Sequence, residues 1–204
     1  MAVVLELTVD GVPVTAAIEP GRTLLRALRE DLGRTGPKEG CDDSECGACM
    51  VLIDGRPVNS CSYLALQAQG RQVTTVEGLA GPGGELAPIQ RAFIEGGGIQ
   101  CGFCTPGMLI SASALLAADP SPSEDAIREA LAGNLCRCTG YQPIIQAVQR
   151  AAAELRGEPH DRIPGEPGGS APPEDPVGHR RPRPANQPPL GSNNAIRPNA
   201  NNAT

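Results

Sequence analysis

The chemistry-bearing residues of this chain are eight cysteines, and they fall into two sets of four. The first set is Cys41, Cys46 and Cys49, a C-x4-C-x2-C run, followed after eleven intervening residues by Cys61. This is the plant-type spacing for a [2Fe–2S] cluster. A tight loop must wrap one side of a flat two-iron unit; the third ligand comes from the loop end and the fourth from a separate element. Gly40 and Gly47 carry no Cβ, so backbone N–H groups can approach the sulfurs and stabilise a reduced, more negative centre. The rival is structural zinc, which normally uses two C-x2-4-C knuckles. Only Cys46 and Cys49 could form one here, and Cys61 stands alone. Asp42, Asp43 and Glu45 read as a solvated loop face, because the four cysteines already complete a site.

The second set sits in two stretches, Gln100-Cys101-Gly102-Phe103-Cys104-Thr105-Pro106-Gly107 and Asn134-Leu135-Cys136-Arg137-Cys138-Thr139-Gly140-Tyr141. Spacing alone leaves zinc and iron both open for this set. The C-x-C half is awkward for a zinc knuckle, which normally has at least two residues between its thiols. The two stretches echo each other, since a Thr follows Cys104 and Cys138 and a helix-like run follows each Thr. Two helix N-termini facing one centre would surround a negative charge with free backbone N–H groups. The pattern predicts a pseudo-two-fold four-helix unit around the metal.

The elements that must position these thiols are legible on both sides of Gly81-Pro82-Gly83-Gly84. Before it the period is near two. Residues 3–9 and 12–18 read as strands around an Asp10-Gly11 hairpin turn. Thr23 caps a helix from Leu24 to Leu32, and Gly33 stops it. Strands follow at 50–53 and 56–59 around Asp54-Gly55, then a short helical piece from Ser62 to Gln67 and a last strand over 73–76. After the boundary the period becomes about 3.6, and four helices are expected. The first covers Ala87 to Glu95. The second is capped by Thr105, the third by Ser121 with Glu124 three residues on, and the fourth starts near Gly140–Pro143 and ends at Gly157.

The fold expected is therefore α+β: a sheet domain over 1–80, an all-α domain over 85–156 and a tail over 157–204. The tail is rich in Pro, Gly, Asn and Arg, has almost no large apolar residue and reads as disordered. His160 and His179, the two histidines, lie there on no periodic face and read as solvated.

Bulk composition narrows the function. A net charge of −6 argues against a nucleic-acid partner. No apolar run approaches the roughly 20 residues of a membrane span. The N-terminus has no basic region or cleavage-like site and reads as a strand, so the expected compartment is the cytoplasm, with export on a partner's signal as the alternative. Four disulfides would need a secreted chain, which nothing here suggests. With two Phe, two Tyr and no Trp, the domains need help from staples or metals.

The stretches Glu39-Gly40-Cys41, Cys46-Gly47-Ala48-Cys49, Gln100 to Gly107 and Cys136-Arg137-Cys138-Thr139-Gly140-Tyr141 resemble the iron–sulfur small subunit of molybdenum hydroxylases. This is the xanthine dehydrogenase, aldehyde oxidoreductase and aerobic carbon monoxide dehydrogenase group. The resemblance covers residues 1 to about 156, and the tail departs from it. The loop Asp42-Asp43-Ser44-Glu45 lacks the glycines often found there. The resemblance implies a β-grasp ferredoxin domain with one [2Fe–2S] cluster on Cys41, Cys46, Cys49 and Cys61. It implies a four-helix-bundle domain with a second on Cys101, Cys104, Cys136 and Cys138. It further implies that Gln100 and Cys138 touch the pterin of a molybdopterin-binding large subunit, and that an FAD-binding medium subunit completes a heterotrimer or a dimer of heterotrimers. Such a chain carries no catalytic residue. It relays single electrons from molybdenum to FAD during aldehyde, purine, N-heterocycle or CO oxidation. The alternative is a free-standing two-cluster ferredoxin-like carrier.

Overall fold

Two Asp-Gly pairs turn the sheet. Strands β1 (Val3–Val9) and β2 (Val12–Ile18) are antiparallel, joined at Asp10 and Gly11 with φ of 52° and 78°. Positive φ at both central residues is what a two-residue type I′ hairpin requires. Strands β3 (Met50–Ile53) and β4 (Arg56–Asn59) repeat the device at Asp54 and Gly55, with φ of 49° and 79°. Strand β5 (Gln72–Thr74) lies between the hairpins, parallel to β1 and antiparallel to β3, in the order β2-β1-β5-β3-β4. The computed structural model describes residues 1–158. The expected disordered tail, apart from its first two residues, and both histidines lie outside the described residues.

Leu5, Leu7 and Val9 alternate onto the buried face of β1 and join Val51, Ile53 and Val73 in one core. Leu24, Ala27 and Leu28 complete that core from a helical segment. Thr23 caps it as expected, accepting from the Arg26 N–H at 3.4 Å. The helix itself differs from the expectation. Helix α1 (Leu24–Arg26) runs into a π-helical turn, Ala27–Asp31, where the Leu32 N–H reaches the Ala27 carbonyl. The wider turn keeps Leu24, Ala27 and Leu28 all against the sheet before Gly33, at φ 68°, ends the segment. The last strand is also shorter than expected. Asp10 takes both the N–H and the hydroxyl of Thr75, at 2.8 and 2.9 Å, so the chain leaves the ladder there and forms a 3-10 turn, Val76–Leu79.

Four helices follow: α2 (Pro88–Glu95), α3 (Thr105–Ala118), α4 (Glu124–Ala130) and α5 (Gln142–Leu155). Phe93, Met108, Ile127, Leu131, Ile144 and Val148 form a second core among them. Two caps fall elsewhere than expected. Cys104 is the cap of α3, with Thr105 already inside the helix. Ser123 rather than Ser121 caps α4, accepting from the Ala126 N–H at 3.2 Å, while the Ser121 N–H is held by the Asp119 carboxylate at 2.8 Å. Gly157 ends α5 in the left-handed region at φ 71°.

The two cores meet where backbone touches backbone. A Cβ on Gly107, in the first turn of α3, would sit 2.0 Å from the Gly47 carbonyl oxygen. A Cβ on Gly47, at φ 68°, would sit 2.2 Å from the Gly133 carbonyl oxygen. Replacing Gly47 by Ala therefore meets both conformational strain and an overpacked contact, together about 3 kcal/mol. Gly97 has the same φ of 68° and open space around it, so Gly97→Ala carries the strain alone, about 1–2 kcal/mol. Denaturant unfolding of the two variants should show Gly47→Ala as clearly the more destabilised; equal losses would mean that the close approach does not exist.

Candidate metal centres

The first centre is built on the loop from Gly36 to Cys49. The Lys38 N–H closes it onto the Ala48 carbonyl at 2.9 Å. Asp42 and Ser44 adopt positive φ, 61° and 69°, where glycine would be the easier residue. Side chains supply what glycine would have supplied in freedom. Asn59 donates to the Ser44 carbonyl at 2.9 Å, and the Asp43 carboxylate accepts from the Glu45 N–H at 3.4 Å. The loop thus reaches a tight wrap without the missing glycines. Gly40 is required by contact instead, because a Cβ there would meet the Cys46 sulfur at 2.9 Å.

The four thiols of this centre form two pairs. Cys41 and Cys46 lie together, the Cys46 N–H pointing at the Cys41 sulfur from 3.4 Å. Cys49 and Cys61 form the other pair, buried with Leu25. Burial, the largest influence, pushes the Cys49 thiol up to about 11 and also raises Cys46. The Asp43 side chain opposes ionisation of Cys41, but the N–H groups of Asp43 and Cys46 hold that thiol below its usual range.

The second centre lies between α3 and α5 and divides the same way. The sulfurs of Cys101 and Cys138 are 3.5 Å apart and both residues are exposed. Cys104, buried at the head of α3, and half-buried Cys136 both pack against the helical core. Burial pushes Cys104 up to about 12. The Phe103 N–H draws Cys101 down, and Cys138, which donates to the Cys101 sulfur, is raised. For Cys136 burial is again the largest influence, but it is outweighed by the hydroxyl and N–H of Thr139, which hold the thiol down. All eight cysteines are free thiols.

Two thiols on each side is the donor set of a two-iron unit, which takes two protein sulfurs per iron. The single four-sulfur tetrahedron of structural zinc is a different arrangement. The donor chemistry and the pairing fit a [2Fe–2S] cluster at each centre, and at the first Gly40 leaves the Cys46 sulfur room that a Cβ would take.

The centres are neighbours through three residues that the cysteine spacing does not single out. Asn134, almost fully buried, donates to the Gly47 carbonyl at 3.1 Å and accepts from the Ser111 hydroxyl at 2.7 Å. The Leu135 N–H donates to the Cys46 carbonyl at 2.9 Å, so one hydrogen bond joins a cysteine of the first centre to the residue preceding Cys136. The Tyr141 hydroxyl accepts from the Cys136 N–H at 2.9 Å and donates to the Asn134 carbonyl at 3.3 Å. A buried Asn between two cysteine-bearing stretches is the signal that could have pointed to this seam. Gln100 is exposed beside exposed Cys101.

Residues 7–78 match the model of the 2Fe-2S iron-sulfur cluster binding domain, and residues 75–149 match that of the [2Fe-2S] binding domain. The nicotine 6-hydroxylase small subunit of Paenarthrobacter nicotinovorans is 48% identical over 151 residues, spanning 74% of this chain and 90% of that protein. The chain belongs to the iron–sulfur subunits of molybdenum hydroxylases. Within this family the nicotinate dehydrogenase small FeS subunit of Eubacterium barkeri is 46% identical, over 73% of this chain and 94% of that one. The crystal structure of quinoline 2-oxidoreductase from Pseudomonas putida 86 matches with a TM-score of 0.73 at 47% identity, covering 77% of this chain and 98% of the matched chain. Aldehyde oxidoreductase from Desulfovibrio gigas matches equally well, with a TM-score of 0.73 at 40% identity, but there the match covers only 18% of a longer chain.

Removing the Asn134 amide takes one of two donors from the Gly47 carbonyl, which keeps the Met50 N–H, and leaves the buried Ser111 hydroxyl only the Met50 sulfur. Asn134→Ala should cost about 2 kcal/mol in denaturant unfolding. Ser111→Ala should cost less, because the Asn134 amide keeps its bond to Gly47. The reverse order would contradict the seam described here.

Proposed function

We propose that this chain relays single electrons between a molybdopterin-binding large subunit and an FAD-binding medium subunit of one oxidoreductase complex. The observation that carries this reading is the pair of neighbouring four-thiol centres, each divided two and two and joined by the Leu135–Cys46 hydrogen bond. Each [2Fe–2S] cluster would supply one-electron acceptance and return, which a two-electron metal and a two-electron flavin both need between them. In this reading residues 1–80 form a β-grasp ferredoxin domain whose Cys41, Cys46, Cys49 and Cys61 hold one cluster. Residues 85–156 form a four-helix bundle whose Cys101, Cys104, Cys136 and Cys138 hold the other.

The chain's own groups then have defined work. Cys49, Cys61 and Cys104 keep one side of each centre away from water. The Phe103, Cys46 and Thr139 N–H groups point at sulfurs and favour added negative charge. Exposed Cys101 and Cys138 form the outward pair of the helical centre, and exposed Gln100 adjoins it in sequence. This supports contact of Gln100 and Cys138 with the partner's pterin. Exposed Phe103 and Leu135 offer apolar surface for the same partner. The assembly is proposed as a heterotrimer or a dimer of heterotrimers in the cytoplasm. Its substrate class is that of the relatives' partners, N-heterocycles or aldehydes.

The test is purification of the complex with Cys104→Ser in this chain. Iron per chain should fall from about four to about two, the ferredoxin-like centre should keep its signal, and substrate should no longer reduce the flavin. Undiminished flavin reduction by substrate would reject the relay, and a chain that purifies without larger subunits would point to a free-standing carrier.

A further inference from the structure

Around Cys136 the hydrogen-bond directions are fixed by what surrounds Thr139. The Thr139 hydroxyl oxygen accepts from the Tyr141 N–H at 3.1 Å. It also lies 3.1 Å from the Cys136 sulfur, and the Thr139 N–H reaches the same sulfur at 3.5 Å. A thiolate ligand has no proton to give, so the hydroxyl proton must be the one shared. Tyr141 thus feeds one side of the hydroxyl and orients its proton toward the sulfur. Elsewhere the Ser44 hydroxyl lies 3.8 Å from the Cys61 sulfur and also faces Ser62, and the Ser60 hydroxyl donates to the Cys49 carbonyl.

We propose that Thr139 sets the reduction potential of the helical centre: its hydroxyl, held in line by the Tyr141 N–H, donates to the Cys136 sulfur and favours the reduced state of the cluster over the oxidised state. The step is uptake of one electron from the reductant by the cluster, with no bond made and no proton moved. The added negative charge is spread partly onto sulfur, where a donor hydrogen bond strengthens on reduction. Thr139 is therefore a positioning and tuning residue and not a ligand. The inference rests on the reading that Cys136 holds the helical cluster.

The experiment is a redox titration of the assembled complex with dithionite, followed by electron paramagnetic resonance of both cluster signals. Thr139→Val keeps the shape and the backbone N–H but removes the hydroxyl, and Thr139→Ser restores it. In the Val variant the ratio of reduced to oxidised helical cluster, at a fixed poise, should fall about tenfold, equivalent to about 59 mV for a one-electron couple. The other signal should stay in place, and the Ser variant should titrate like the unaltered protein. An unshifted Val variant, an equal shift of both signals, or a Ser variant shifted like Val would overturn the proposal. If the Val variant loses the cluster, the unaltered complex decides the matter. After exchange into D2O, pulsed resonance on the helical signal should detect a hydroxyl deuteron at the Cys136 sulfur besides those of the Thr139 and Cys138 amides; amide deuterons alone would overturn it. Absence of a helical cluster signal in the unaltered complex would instead reject the functional reading beneath it.

Discussion

One buried side-chain amide holds the molecule's two halves in register. Asn134 donates to the Gly47 carbonyl of the first cysteine loop and accepts from Ser111 on α3. Neither half could offer this contact if Gly47 or Gly107 carried a side chain, because the backbones approach too closely for any Cβ. The amide's loss would take one of two donors from the Gly47 carbonyl and leave the buried Ser111 hydroxyl only the Met50 sulfur, a penalty of about 1–3 kcal/mol. The same seam carries the Leu135 hydrogen bond to Cys46, so the constraint that fixes the packing also fixes the separation of the two thiol sets.

Each thiol set is itself asymmetric, and the asymmetry has a purpose in a relay. One pair is turned inward, and at Cys49 and Cys104 burial opposes ionisation of a bare thiol. Holding those two thiols as ligands therefore depends on the cation they bind, which ties loading to folding and to proton release. The other pair is nearer solvent, and backbone N–H groups meet Cys41 and Cys101 there. A centre with one dry side and one outward side can be shielded from water and still face a partner. The two outward pairs belong to different halves of the chain, as a carrier between two larger subunits would need.

Much of this was legible in the sequence. Both Asp-Gly turns, the alternation of Leu5, Leu7 and Val9, the four helices after Gly84 and the grouping of all eight thiols follow from spacing and period. The remainder depended on contacts across long stretches of chain. The π-helical turn after Arg26 answers to the packing of Leu28 on the sheet. The early end of β5 answers to Asp10, sixty-five residues away. The caps shifted to Cys104 and Ser123 because Asp119 engages Ser121 and because α3 begins one residue earlier than a Thr cap implies. Asp42 and Ser44 reach a glycine-like backbone through support from Asn59 and neighbouring loop groups, which no local pattern announces. Asn134, Thr139 and Tyr141 lay inside a stretch marked by its cysteines, yet their roles come from distances.

The central claim is that one chain carries two two-iron centres side by side. It is tested most directly by iron and acid-labile sulfide per chain, with electron paramagnetic resonance on the dithionite-reduced protein. The account predicts about four irons, about four sulfides and two distinguishable signals. About two irons, one signal and stoichiometric zinc would contradict it and leave the helical half a structural metal domain.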